Sequence, residues 1–480
     1  MPPSPTFRPA ARHPELGEAF YDVVAPASFP AHIIRHRNQR WAERCGLGSL
    51  SDEEWVAHFG RFEPLPGSLP EPLALRYHGH QFRHYNPDLG DGRGFLFAQL
   101  HDLRDGRLLD LGTKGSGRTP YHRGADGRLT LKGGVREVLA TEMLEALGVE
   151  TSKSFSLVET GEALMRGDEP SPTRSSVLVR LNHSHIRIGS FQRLAYHKDE
   201  ANLRRLLDYT VRTYLPEAWR EDEAERATAF LAEVTRRVAR MGAQWLAAGF
   251  VHGVLNTDNI NVTGESFDYG PWRFLPTYEP EFTAAYFDHG GLYAFGRQPE
   301  ALAWNLARLG GCLLPLASQE ALIAALEPYQ AAINAAMAEA VLRRLGLAPT
   351  GTEADQALVE PLYTFLHATQ APYEQVLFDW RGGLAGETRA GRSPAAAHYA
   401  SAAFAPLREA LSAFAPAPEA NLDHPYFARP APCTMLVEDV EALWAPIAER
   451  DDWSAFHAKL AEIAQMAEAY GNATQPAATS

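Results

Sequence analysis

The sequence predicts an α+β protein with a β-rich N-terminal lobe and a mostly helical C-terminal lobe. Three observations carry that prediction. Short apolar and aromatic runs cut by glycines fill Tyr77 to Asp110, and alternating apolar residues return at Val177 to Phe191, as in antiparallel strands. After about residue 200 apolar residues recur at helical spacing, above all along Ala224 to Ala248, which stops at Gly249. Directly after that stop comes a polar stretch, His252 to Pro271, which fits neither pattern.

Composition bounds what the chain can do. At 480 residues, 45% apolar and 10% aromatic, it can bury a large core. Its 45 basic against 59 acidic residues give a net charge of −14 and a pI near 5.7. That balance opposes general affinity for nucleic acid or anionic membrane, so phosphate binding must be local. Only five lysines occur, Lys114, Lys132, Lys153, Lys198 and Lys459, and with abundant alanine this suggests a GC-rich bacterial genome. Cys45, Cys312 and Cys433 are isolated, without metal-type spacing or a disulfide framework, and read as buried thiols in a reducing compartment. No apolar leader opens the sequence and no run of about 18 uncharged apolar residues follows. A cytoplasmic protein is expected.

Residues 1–70 read as an N-terminal extension of Pro-rich segments with helices around Ile33 to Cys45 and near Asp52 to Phe59. Residues 71–200 are expected to form a strand-rich lobe and 201–480 a helical lobe that carries the polar stretch. In the first lobe, Leu89-Gly90-Asp91-Gly92-Arg93-Gly94 is either a hairpin turn or a loop whose amides meet an anion beside Arg93. Lys114 stands at a strand end before the Gly-rich run Gly115-Ser-Gly-Arg118-Thr-Pro-Tyr121. With lysine so scarce it is a candidate phosphate ligand, although the order is not that of a Walker A motif. Asp126-Gly127-Arg128 makes another turn, and a helix is expected from about Val135 to Leu147, stopped by Gly148. Glu137 in its first turn either pairs with Lys114, as a strand lysine and helix glutamate do in protein kinases, or serves the helix N-terminus. Arg180 and Arg187, in the strand-like run to Phe191, either converge on a phosphate or line an exposed strand face.

Further helices are expected at Pro299 to Leu314, Gln319 to Leu345, about Ala354 to Thr369 and about Val437 to Gln465. Residues 382–393 and 416–432 read as linkers or surface loops, and the last ten residues as a frayed tail.

The stretch from His252 reads as loop, strand (Ile260 to Thr263) and loop, with Asn and Asp side chains at the two ends of a short hairpin. Such a pair can put hard oxygen ligands on one Mg²⁺ or Mn²⁺ that also takes phosphate oxygens. The alternative is a set of Asx-turns that satisfy their own backbone. Set against the kinase catalytic loop His-x-Asp-x-x-x-x-Asn and its Asp-Phe-Gly, His252 and Asn259 fit and Asp268-Tyr269-Gly270 replaces the triplet. Val254, however, fills the slot of the proton-accepting Asp, and an Asp appears instead at Asp258. The metal apparatus of a kinase survives while its phosphoryl-transfer base is missing.

Taken together, Tyr77-His-Gly79-His80-Gln81-Phe82, Leu89-Gly-Asp-Gly-Arg93, Lys114-Gly-Ser-Gly-Arg-Thr-Pro-Tyr121, Asp126-Gly-Arg128, Arg136-Glu137, Ser184-His-Ile-Arg187, His252-Gly253, Asn256-Thr-Asp-Asn259, Asp268-Tyr-Gly-Pro271 and Trp304-Asn-Leu306 closely resemble the selenoprotein O (SelO, YdiU) family, in order from about residue 75 to 310. The resemblance implies a protein-kinase-like fold of two lobes and a protein adenylyltransferase that moves AMP from ATP to protein hydroxyls, with the nucleotide reversed relative to kinases. It implies that Gly90, Gly92, Arg93, Lys114, Asp126, Gly127, Arg180 and Arg187 hold the nucleotide. Asn259 and Asp268 would bind the metal, Asp258 would accept the proton, and Glu137 would position Lys114. Departures lie at Arg83, at His122, at Leu131-Lys132-Gly133-Gly134 and, where the match fades beyond residue 380, at His424-Pro425. No cysteine lies near the end, so no terminal redox chemistry is assumed.

Three functions compete. An AMP or UMP transferase acting on protein Ser, Thr or Tyr is the first. A small-molecule phosphotransferase would need Asp where Val254 stands, and the retained Asp258, Asn259 and Asp268 oppose a regulator without catalysis.

Overall fold

The strands come first in the chain and most of the helices after them. The computed structural model describes residues 4–167 and 169–472. Its strands in the N-terminal part are β1 (Pro9–Ala10), β2 (Tyr21–Val23), β3 (Ile33–Arg37), β4 (Leu73–Leu75), β5 (Gly79–Gln81), β6 (His84–Asn86), β7 (Leu96–His101), β8 (Leu108–Lys114), β9 (Leu129–Thr130), β10 (Lys153–Leu164) and β11 (Thr173–Asn182). The main sheet is antiparallel in the order β2-β4-β7-β8-β11-β10-β3, with β1 added to β7 and β9 to β11, while β5 and β6 form a separate hairpin. The protein is therefore α+β, and its first 70 residues supply strands to the main sheet.

Helices α1 (Gln39–Arg44) and α2 (Asp52–Phe59) cover one face of that sheet. Helix α2 spans the residues expected of it, because Ser51 and Glu54 form a capping box at its start. Ile33 to Cys45 was expected to be one helix, and here the structure differs. Ile33–Arg37 is strand β3, paired along the edge of β10, and the helix begins only after Asn38, whose side chain accepts the Trp41 N–H at 3.3 Å. A free edge on β10 and two β-branched isoleucines outweigh the helical spacing.

Alternation sorts the strand side chains. Val177, Val179 and Leu181 of β11, with Leu109 and Leu111 of β8, enter the core beneath α1 and α2, whereas Leu178 and Leu108 enter the core on the opposite face. Helix α3 (Leu131–Ala146) packs on that opposite face. It starts four residues before the expected Val135, since Thr130 caps it by accepting the Gly133 N–H at 3.1 Å. Gly134 lets it lie close, because a Cβ there would come within 2.4 Å of Leu157. By the same alternation Lys114 and Arg180 emerge on the α3 face, and the register, Gly112 opposite Arg180, makes them near neighbours.

The strand expected to run to Phe191 ends at Asn182, and α4 (Ile188–Tyr196) follows with Arg187 at its N-cap. The two arginines thus sit on different elements. Helix α5 (Glu200–Tyr214) and the long α6 (Glu223–Ala247) lead to β12 (Phe250–Val251), which pairs with β13 (Arg273–Phe274) and closes the neck of the polar stretch. Between them Ile260–Thr263 forms no hairpin. Instead Ile188 N–H and Val262 N–H make 3.0 Å bonds to Ile260 O and Ile186 O, docking the run on the chain that enters α4. After α7 (Gln298–Cys312), the expected helix Gln319 to Leu345 is two, α8 (Gln319–Leu326) and α9 (Tyr329–Leu345), broken at Pro328, which cannot continue an interior turn. Likewise the span from Ala354 holds helices Thr352–Ala357 and Val359–Thr369, and that from Val437 holds Val437–Arg450 and Ser454–Ala469, separated by left-handed Asp451. Residues 382–393, expected as a linker or surface loop, hold two short helical turns, Gly383–Gly386 and Glu387–Ala390, and bury Gly382, Gly383, Gly386 and Ala390. The expected tail lies outside the described residues from 473 onward. Among the described residues no helix is long and apolar enough to cross a membrane.

Candidate active site

A cleft of about 370 Å³ opens between the α3 face of the sheet and the loop that follows α6. Gly90, Gly92, Arg93, Lys114, Arg180, Arg187, Asp258, Asn259 and Asp268 all line it. Ten of the twelve residues proposed from the sequence meet here when Glu137, which touches the floor, is included. Its carboxylate accepts a short hydrogen bond from Lys114 Nζ, with the two side chains 1% and 7% exposed.

The floor is a cationic cluster around one carboxylate. Asp268 Oδ1 accepts from Lys114 Nζ at 2.9 Å and from Arg180 Nη1 at 3.0 Å. Burial opposes ionisation of this carboxyl, yet Lys114, Arg180 and Arg187 hold it well below the usual carboxylate range. Arg187 lies against the Tyr77 ring at 4.2 Å and reaches Asp91 Oδ1 and the Asp258 carbonyl at 3.4 Å each. Asp258 behaves oppositely to Asp268. Burial pushes its carboxyl up to about 6, against the pull of the Arg187 guanidinium, and its Oδ1 has no hydrogen-bond partner among the described residues. The Nε atoms of Arg180 and Arg187 are also buried without partners. Orphaned donors beside a protonatable carboxyl in one cleft are unusual for a purely structural cluster.

The loops that carry these groups are held from beneath. His252, kept neutral by burial, bonds through Nε2 to the Phe267 carbonyl at 2.9 Å and so ties the two loops together. Its own N–H donates to Gln298 Oε1 at 3.0 Å, and Asn305 Nδ2 donates to the Leu255 carbonyl at 2.8 Å. Thr257 to Asn259 make a single 3₁₀ turn. Asn259 Nδ2 donates to the Val254 carbonyl at 3.1 Å, so its Oδ1 is the side-chain atom that could hold a cation. Asp268 has a left-handed backbone, φ 66°.

Two proposed residues stand apart. Asp126 pairs with Arg166 at 2.8 Å, and neither Asp126 nor Gly127 lines the cleft. The Gly90–Gly92 loop is no hairpin turn, because β6 and β7 on either side of it are not paired. Gly90 is needed there for contact, since a Cβ would come within 2.3 Å of the Tyr121 ring. Sequence reasoning missed Asp91 and Tyr77 as partners of Arg187, and Gln192, Tyr293 and Gln298 as supports of the stretch that carries Asp258. The contacts of the last three span 37 to 65 residues of chain, and no local pattern announces them.

Comparison with known proteins fits this geometry. A family model described as protein adenylyltransferase SelO matches residues 6–464. A protein nucleotidyltransferase YdiU from Gloeobacter violaceus is 46% identical over 459 residues, 92% of each chain. One of the same name from Synechocystis is 52% identical over 361 residues, 74% of each chain, and one from Vibrio cholerae is 37% identical over 368 residues, 76% of this chain and 73% of that one. A match along nearly the whole length, at these identities and around an intact cationic cleft, means that this chain belongs to the SelO family and is a nucleotidyltransferase.

Proposed function

We propose that the protein transfers AMP from ATP to a Ser, Thr or Tyr hydroxyl of a protein substrate and releases pyrophosphate, with Mg²⁺ or Mn²⁺, on a two-lobed protein-kinase-like fold. One observation carries the reading. Asp258 is a buried, partly unpartnered carboxyl in the cleft, while Val254 occupies the position a kinase uses for its base. A reversed nucleotide would put its terminal phosphates among Lys114, Arg180 and Arg187 and its α-phosphate near Asp258. Arg93 and the Gly90–Gly92 loop would hold the remainder, and Asp126 and Gly127 enter on the family resemblance alone.

Among the described residues no three His, Cys, Asp or Glu side chains come together to cage a metal. Asn259 and Asp268 supply one carbonyl and one carboxylate oxygen, which suits an ion that takes its other ligands from phosphate and water. Bound there, it would neutralise phosphate charge and stabilise the departing pyrophosphate. Asp258 would take the proton of the acceptor hydroxyl as that oxygen bonds to the α-phosphorus. Glu137 would keep Lys114 extended toward the phosphates.

The test uses a bacterial lysate, metal, and ATP labelled at the α or the γ position. Label should reach protein from α-labelled ATP only and be lost in Asp258→Ala and in Asp268→Ala. Label from the γ position would make the protein a kinase, and none from either would leave a nucleotide-binding regulator. Because the relatives are named for nucleotide transfer without a base, α-labelled UTP belongs in the same assay.

A further inference from the structure

We infer that Asn256 is a catalytic hydrogen-bond donor to a non-bridging oxygen of the α-phosphoryl group during transfer. This rests on the nucleotidyl-transfer reading above and adds a residue to which that reading assigns no role.

Asn256 is 4% exposed and lines the cleft with Asp258 and Asn259. Its carbonyl accepts the Asn259 N–H at 2.9 Å, so the three residues share one tight turn. What distinguishes Asn256 is how its side-chain amide is divided. Oδ1 accepts the Phe82 N–H at 3.0 Å and the Tyr293 hydroxyl at 2.9 Å. A side-chain amide oxygen has two lone pairs, and both are used. A backbone N–H can only donate, so the oxygen must face Phe82, and the amide orientation follows from chemistry. The NH₂ end is then directed away from both anchors, and it makes no hydrogen bond among the described residues. Its supports are themselves fixed. Phe82 closes the β5–β6 hairpin with φ 48°, and the neighbouring His80 N–H donates to Thr257 Oγ1 at 2.7 Å.

A donor held at both lone pairs beside the proposed base is preorganised for charge that develops only as the reaction proceeds. In the transfer, the acceptor oxygen bonds to the α-phosphorus and its proton passes to Asp258. The bond from that phosphorus to the bridging oxygen breaks, and its electron pair leaves with pyrophosphate. Charge rises on the non-bridging α-oxygens as the phosphorus becomes five-coordinate. Asn256 Nδ2 meets one of them. If Asn256 only stapled the hairpin to the turn, its NH₂ group would be idle.

Asn256→Ala and Asn256→Asp separate the two roles, since Asp keeps the oxygen that Phe82 and Tyr293 use and deletes the donor. Transfer of the α-label should fall about 100-fold or more in both variants, the scale of a lost oxyanion donor. The deciding readout is the pair of ATP analogues with sulfur at one or the other non-bridging α-position. Wild type should discriminate between them, and the ratio of the two rates should shift by about tenfold toward unity when the donor is gone, the remaining ratio being set by other ligands. A merely structural Asn256 would slow ATP and both analogues by one factor, and an unchanged ratio in both variants overturns the assignment. Absence of α-label transfer in wild type would instead remove the reading of the whole site, so the two failures are told apart. Should Asn256→Ala not fold, the ratio in Asn256→Asp decides.

Discussion

Arg180 and Arg187 reach the cleft from different elements, and each keeps a buried Nε without a partner. A net charge of −14 provides no general attraction for polyphosphate, so affinity must come from these side chains at close range. Arg180→Ala or Arg187→Ala should weaken ATP binding by about 1.5–3 kcal/mol in calorimetry, and unchanged affinity in both would return them to structural duty. Asp258 makes a second prediction at this scale, one about stability. Its carboxyl is raised from 3.8 to about 6, so between those values the folded protein holds a proton that the unfolded chain has released. Stability contributed by this group is therefore lost as pH rises through that window. In the metal-free protein Asp258→Asn should be more stable than wild type by up to about 3 kcal/mol near pH 7. The difference should vanish toward about pH 3, below both values, where both states of the wild type are protonated, and equal melting temperatures at neutral pH would contradict the buried-charge account.

Strand β8 and helix α3 meet through the buried ion pair of Lys114 and Glu137, which bears on stability in its own right. Both side chains are buried, so removing Glu137 leaves the Lys114 charge with Asp268 alone to compensate it. Glu137→Ala should cost about 3 kcal/mol in denaturant unfolding. Replacing both, as Lys114→Met with Glu137→Leu, should recover most of that stability while transfer stays absent. A double variant no more stable than Glu137→Ala would show that Asp268 already satisfies Lys114. The second turn of α3, which carries Glu137, is tied down again, for Arg136 lies over the Trp272 ring at 4.8 Å and donates to the Trp272 carbonyl at 3.3 Å. The helix that positions Glu137 and the loop that carries Asp268 are thereby linked.

Across the whole molecule the C-terminal segment braces the main sheet and α3 beside the cleft. Asp451, at the break between the last two helices, takes Arg35 of β3 at 2.9 Å and Arg174 of β11 at 2.6 Å, and Lys132 of α3 reaches Glu441 at 2.8 Å. Exposed pairs of this kind contribute little, and the apolar contacts beneath them carry the attachment. Phe456, fully buried in the final helix, belongs to the same core as the helix α3 residues Val135 and Leu139. Phe456→Ala should destabilise the protein by about 3–5 kcal/mol, read from the denaturant midpoint, and leave the ATP affinity of the folded fraction unchanged.

What the sequence by itself determined was chemistry and local punctuation. Lys114, Asp258, Asn259 and Asp268 could be singled out because few residue types perform their roles, and the extent of α2 and the end of α6 at Gly249 could be read because capping boxes and glycine stops act within a few residues. Tertiary structure alone decided the rest. It turned Ile33–Arg37 into an edge strand, bent the chain between Arg180 and Arg187, opened no hairpin at Ile260–Thr263, and left Asp126 beside Arg166. It also chose the two donors that orient Asn256, which lie 174 and 37 residues away along the chain. Strand pairing and buried hydrogen bonds are settled by whatever lies across from a residue, and a reading that proceeds along the chain has no access to that partner.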